Sequence, residues 1–261
     1  MRYLTLLGVE LRLSMATSMQ YRWNFFVDGA VSFVWTALGL VPLVIAFQAR
    51  PTMSGWTFDD ALVVVAWFTL LKGVLDGAVN PSLLQVVDHI RQGTLDFVLL
   101  KPADAQFLVS TARFELWKGL DAVASLALFA FAFHALGRLP SAGGSAIALV
   151  LLACAVLVLY SVWILVIAAA FWVVRLDNLA YLLSSLFDFA RWPVSIFKGA
   201  WRIVFTFVVP LAVLTTYPAE ALLGRLSTRT ALVSIAGSVA FAFVARRVWL
   251  LALGRYTSAS S

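Results

Sequence analysis

The sequence predicts an all-α integral membrane protein with six transmembrane helices. Two features of composition and one of arrangement predict it. Of 261 residues, 62% are hydrophobic and 12% charged, against about 25% charged in soluble domains. Mean hydropathy is +0.95, more apolar sequence than one water-facing core absorbs but well suited to a bilayer. The 19 Lys and Arg residues lie mostly at the edges of apolar runs, so the formal charge of +6 points to membrane faces rather than to nucleic acid. The length fits one membrane domain, 1–261.

Residues 1–22 do not read as a cleavable signal. Glu10, Arg12 and Gln20 interrupt them, and no small-residue cleavage site follows an apolar core. Tyr3, Leu4, Leu6, Leu7, Leu11, Leu13 and Met15 alternate with Arg2, Glu10 and Arg12 at spacing that suits a helix lying in the membrane interface. The other reading is a polar lead-in to the first crossing.

A spanning helix needs about 20 largely apolar residues. The stretches 25–47, 58–79, 116–136, 145–174 and 230–251 qualify. A sixth apolar region, 179–223, is too long for one crossing and is broken by Pro193, Pro210 and Pro218. It reads as one crossing followed by a segment that enters and leaves on one side. Cytoplasmic faces carry the excess of Lys and Arg. On the N-terminal side lie Arg2, Arg12, Arg22, Arg91, Lys101, Arg113, Lys118, Arg175, Arg246, Arg247 and Arg255. The opposite side holds Arg50, Arg138, Arg225 and Arg229, while Lys198 and Arg202 depend on the threading of the broken region. This bias puts both termini in the cytoplasm. Trp23, Trp56, Trp117, Trp172, Trp192, Trp249 and Tyr256 fall near predicted membrane edges and read as an aromatic belt.

Residues 80–113 form a long cytoplasmic loop. Pro81 suits the first turn of a helix, and Leu83, Leu84, Val87 and Ile90 repeat at helical spacing. Gly93 supplies a left-handed stop, and a second apolar segment ends before Pro102. A helix–break–helix of this kind is either a connector resting on the membrane or a knob carrying charge and apolar contacts into a partner's groove. Spacing alone leaves both open.

The stretch Arg91-Gln-Gly-Thr-Leu-Asp-Phe-Val-Leu-Leu-Lys-Pro resembles the signature loop of ABC type-2 transporter permeases. Arg191-Trp-Pro-Val-Ser-Ile-Phe, Val208-Val-Pro-Leu-Ala and Tyr217-Pro-Ala-Glu-Ala-Leu-Leu-Gly are similar to the same family. They most resemble its bacterial branch encoded beside a separate ATPase and often beside a second permease. The resemblance implies an exporter architecture of type V, with a coupling helix around 85–96 that seats on the ATPase. Gln85, Asp88, His89, Arg91, Gln92, Gly93, Thr94, Leu95 and Asp96 would form that interface. It also implies that Pro193 lies near the outer end of the fifth crossing and that 193–229 holds short re-entrant helices. Its partners would be an ABC ATPase, a second permease subunit (identical or paralogous) and membrane lipid. ATP and Mg²⁺ would sit on the ATPase, with no cofactor or metal on this chain and no nucleic acid bound.

Charges within apolar runs are costly. Lys72 and Asp76, four apart in the second crossing, can share one helix face. They form either a structural pair within the bundle or part of a substrate path. Asp28 poses the same choice; Asp188 with Arg191, and Lys118 with Asp121, have the spacing of helical ion pairs.

The chain contains no Gly-x-x-x-x-Gly-Lys-[Ser/Thr] segment to cradle ATP phosphates, no His-Glu-x-x-His pattern and a single cysteine, Cys154. It therefore reads as a noncatalytic membrane subunit. The rival reading is an ion- or proton-coupled secondary transporter, which needs ionisable groups near mid-membrane and an internal repeat. Lys72 and Asp76 are weak candidates for that role, and no repeat stands out.

Overall fold

A computed structural model describes residues 2–20, 22–169, 171–172, 184–208 and 210–255. Its order begins with α1 (Arg2–Gln20), α2 (Arg22–Ala49) and α3 (Phe58–Val74), then a π-helical turn (Leu75–Val79) and α4 (Asn80–Gln92). Two short helices follow, α5 (Asp96–Leu99) and α6 (Ala105–Ser110), and then the long α7 (Gly119–Ala135) and α8 (Ala142–Ala169). After a broken region come α9 (Ala200–Ile203), α10 (Tyr217–Leu222) and the long α11 (Thr228–Leu253). The described residues contain no strand beyond an isolated bridge between Met53 and Trp56.

Five described helical stretches are long and apolar enough to cross a membrane: Phe25–Ala49, Phe58–Ile90, Leu116–Ala135, Ala142–Ala169 and Thr228–Leu253. They correspond to five of the six predicted crossings. The predicted sixth, in 179–223, is not a continuous helix among the described residues. Residues 173–183 lie outside them, and the rest consists of short helical turns around Pro193, Pro210 and Pro218. Each proline withdraws a backbone donor, so no long i→i−4 ladder forms among the described residues from 188 to 222.

α3 runs through the centre of the bundle. It starts with a reciprocal cap in which the Asp60 amide donates to Thr57 Oγ1 at 3.3 Å and the Thr57 amide donates to the Asp60 carboxylate at 3.2 Å. Ala61, Val63, Val64, Ala66 and Leu71 are fully buried. One core cluster gathers Leu43, Phe47, Trp56 and Leu62 at the Phe58 end of α3, and a second gathers Leu75, Leu83, Trp163 and Trp249 towards the 80–113 loop. Outward faces are apolar as well: Trp23, Phe26, Trp35, Leu232 and Val233 are exposed, as lipid-facing side chains are.

The two ends of the bundle are laced separately. At the loop end, Arg246 of α11 pairs with Asp104, and the Asp104 amide donates to Tyr3 Oη of α1 at 3.3 Å. The Phe114 amide donates to Ser14 Oγ at 3.2 Å, so α1 lies along the loop. At the opposite end, Arg225 pairs with the buried Asp60, Trp56 Nε1 donates to Ser195 Oγ at 2.9 Å, and Gly144 lies close against the Ala221 carbonyl. The two terminal helices thus both reach the loop end.

The aromatic belt is smaller than expected. Trp23 and Trp172 are exposed, but Trp56 and Trp249 are buried, drawn inward by ring packing and, for Trp56, by its bond to Ser195. Tyr256 lies outside the described residues.

Candidate functional site

Two features adjoin at the loop end: a helical knob and a charged cavity. The knob begins where α3 changes pitch. Proline at 81 has no amide to give the carbonyl four residues earlier, and the Gly77 carbonyl instead accepts the Glu115 amide at 2.8 Å. Ser82, fully buried, donates to the Arg113 carbonyl at 2.6 Å and accepts the Arg113 amide at 2.9 Å. α4 is therefore the continuation of α3 through a π turn rather than a separate surface helix, and residues 113–115 are stitched to the junction.

Ser82, Leu83, Val86 and Val87 form the buried face of α4, whereas Gln85, Asp88 and Gln92 are exposed. The Arg91 side chain lies outside the described ones. Gly93 ends the helix at φ 68, ψ 18, with its amide donating to the His89 and Ile90 carbonyls. The Thr94 amide returns to the His89 carbonyl at 2.9 Å, and His89 Nδ1 lies 2.8 Å from Thr94 Oγ1. His89, Gly93, Thr94 and Asp96 are half-buried around this turn. Leu95 differs from the rest of the predicted interface: it is fully buried in the core and anchors the knob. Phe97 and Leu100, 71% and 80% exposed, project instead. Their exposure follows from the turn at Gly93, which helical spacing alone does not orient. A groove of about 450 Å³ lined by Pro81, Gln85, Asp88, Arg113 and Glu115 flanks the knob.

The second feature is a cavity of about 570 Å³ between α2, α3, the start of α7 and the turn Asp188–Arg191. Lys72 lies 3.7 Å from Asp76 and 3.8 Å from Asp188, and Asp188 lies 3.3 Å from Arg191. Lys118 lies 3.4 Å from Asp76 and 3.6 Å from Asp121, which accepts a 2.5 Å hydrogen bond from Ser32. Asn80 donates to Asp76 at 3.0 Å. Charges of alternating sign thus run without a gap from the broken region, across α3, to Asp121 of α7, and a neutral hydroxyl, Ser32, joins the end of the series to α2. The close approach rests on two glycines: a Cβ at Gly73 or Gly77 would come within 2.9 Å of Asp121 Cβ or Lys118 Cβ.

The predicted pairs Lys72–Asp76, Lys118–Asp121 and Asp188–Arg191 are all present. The contacts that join them, Lys118–Asp76 and Lys72–Asp188, carry no sequence signal because their partners are far apart in the chain. Asp28, Trp35, Phe68 and Trp117 also line the cavity. A third cluster, of Arg246 with Asp104 and Gln106, closes the loop end. Burial there works to raise the Asp104 pKa, but hydrogen bonds from Arg246 and the Phe107 amide outweigh it and hold the carboxyl below its usual range. No group of His, Cys, Asp and Glu among the described residues is arranged to hold a metal ion.

The family described as ABC-2 family transporter protein matches residues 33–260, nearly the whole chain, and the chain belongs to it. No curated protein and no solved structure matches the chain. Membership makes it an ABC-type membrane transport subunit, of a kind generally without catalytic activity and working with an ABC ATPase.

Proposed function

We propose that this ABC-2 family member is the transmembrane permease subunit of a bacterial ATP-binding cassette exporter. It moves a hydrophobic or amphipathic substrate, and ATP with Mg²⁺ is held and hydrolysed on a separate subunit. The observation that carries the proposal is the continuity of α3 through the π turn into α4. A push on the exposed Gln85, Asp88 and Gln92 side of the knob reaches, within one helix, Asp76, which pairs with the cavity-lining Lys72 and Lys118. Asp88, Asp96 and the projecting Phe97 and Leu100 offer the mix of charge and apolar contact that docks a helical knob in a groove.

In this reading the loop end is cytoplasmic, both termini lie there in the plasma membrane, and α1 rests in the interface. Pro193 lies near the outer surface, as the Ser195–Trp56 bond suggests, and 193–229 holds short re-entrant helices, whose Ala212, Leu214, Thr215 and Ala219 are buried by protein. A second permease, identical or paralogous, completes the substrate path. The rival ion-coupled transporter lacks support, since Lys72 and Asp76 are held in a charge-balanced network.

The test is co-purification and vesicle transport. Gly93→Val forces a branched residue into a left-handed backbone, and Asp96→Lys reverses charge on the knob. Each should weaken ATPase association while leaving the permease folded, and transport should require ATP with the ATPase. Undiminished association in both variants removes the docking assignment; transport on an ion gradient alone would overturn the exporter reading.

A further inference from the structure

The cavity lining and the ion-pair network joined to it together hold four carboxylates against three bases. The network joins three cations, Lys72, Lys118 and Arg191, to three carboxylates, Asp76, Asp121 and Asp188. A fourth carboxylate, Asp28, lines the same cavity and makes no ion pair or hydrogen bond among the described residues. It sits in the first turns of a candidate membrane-spanning stretch, where an uncompensated charge is costly. Trp35, Phe68 and Trp117 line the surrounding wall, and aromatic faces attract cations through their quadrupoles. Arg191 and Lys118 already occupy the faces of Phe68 and Trp117, which leaves Trp35, about two turns along α2 from Asp28 and lining the same cavity.

We propose that this cavity binds an amphipathic cation, with its ammonium or phosphonium centre at Asp28 and its apolar body against Trp35 and Val31. The assignment deepens the exporter reading and rests on it for the role of substrate. Gly29 packs against Leu120 near the start of α7, so Asp28 lies level with the loop-end part of that helix. With the loop end cytoplasmic, the cation enters from the inner side, where an exporter loads. An ammonium on an apolar tail could belong to a free amphiphile or to a lipid headgroup.

The probe is tritiated tetraphenylphosphonium, with tetraphenylborate as its near-isosteric anion. Binding is measured on the permease–ATPase complex in phosphatidylglycerol nanodiscs, after subtraction of uptake by empty discs. The cation should bind saturably and the anion should not. Asp28→Asn should weaken cation binding about tenfold, roughly one uncompensated charge contact in a partly apolar site. Asp28→Glu should restore most of it, and Asp59→Asn, at the other end of the bundle, should leave it unchanged. Equal binding of cation and anion, or an Asp28→Asn affinity equal to that of the unaltered complex, would overturn the proposal. The cation-over-anion comparison needs no variant, so it stands even if Asp28→Asn fails to fold. Competition by added phosphatidylethanolamine would identify a lipid ammonium as the source; absence of competition would identify a free cation. ATPase co-purification is scored separately. A stable complex with no cation preference removes this inference alone, and Asp28-dependent binding by a permease that holds no ATPase removes the exporter reading alone.

Discussion

The Glu115 amide donates to the Gly77 carbonyl at 2.8 Å, filling the place in the helix ladder that Pro81 leaves empty. One missing donor thus has two consequences. It lets the second long helix shift pitch at Leu75–Val79, and it fastens the return segment from the knob to that shift. The junction is fixed where the knob's helix meets the Asp76 node.

Ser82→Ala removes both bonds to the Arg113 backbone and leaves its amide and carbonyl without that partner. A loss of about 1–3 kcal/mol is expected, with faster hydrogen exchange at the Arg113 and Glu115 amides. Unchanged protection at both would show that the stitch does not hold the junction.

Gly73→Ala places a Cβ 2.9 Å from Asp121 Cβ and 3.2 Å from the Lys118 carbonyl oxygen. Neither atom is at the end of a flexible chain, so α3 and α7 must separate, at a cost of about 1–3 kcal/mol. Gly237→Ala in α11, where a Cβ meets nothing within 4 Å, should instead stabilise by about 0.5–1 kcal/mol. Thermal unfolding in detergent compares them. The same sign for both would discount the glycine approach.

Arg225→Ala strands the Asp60 carboxylate, whose residue is 1% exposed. The expected loss is about 1–3 kcal/mol, held to that range because the Arg225 side chain is itself 42% exposed. Arg229→Ala serves as the comparison, since no partner holds Arg229 among the described residues. Equal melting temperatures for the two variants would remove the pair's structural role.

The Arg246–Asp104 clasp gives a pH signature. Because the Asp104 pKa is depressed on folding, its contribution is present above the ordinary carboxylate range and is lost as pH falls through the depressed value. Stability of the unaltered protein should therefore drop more steeply on acidification from about pH 5 to pH 3 than that of Asp104→Asn. Parallel curves would show that Asp104 does not contribute this linkage.

The sequence by itself determined the membrane character, five of the long helices, the break at Gly93 and the three local ion pairs. Each depends on composition or on neighbours within one or two helical turns, and those interactions are legible along the chain. Helical spacing also marked the apolar face of α4 that carries Leu83 and Val87, though not the inward turn of Leu95 or the projection of Phe97.

Only the tertiary structure decided the rest. Asp60 and Arg225 are 165 residues apart, and Asp104 and Arg246 are 142 apart; helix packing alone selects those partners. The same holds for Lys118 with Asp76 and Lys72 with Asp188, which turn separate pairs into one network. A buried charge must find a counter-charge, but which one it finds depends on how closely glycine-bearing helices approach, and that distance is written in no single segment.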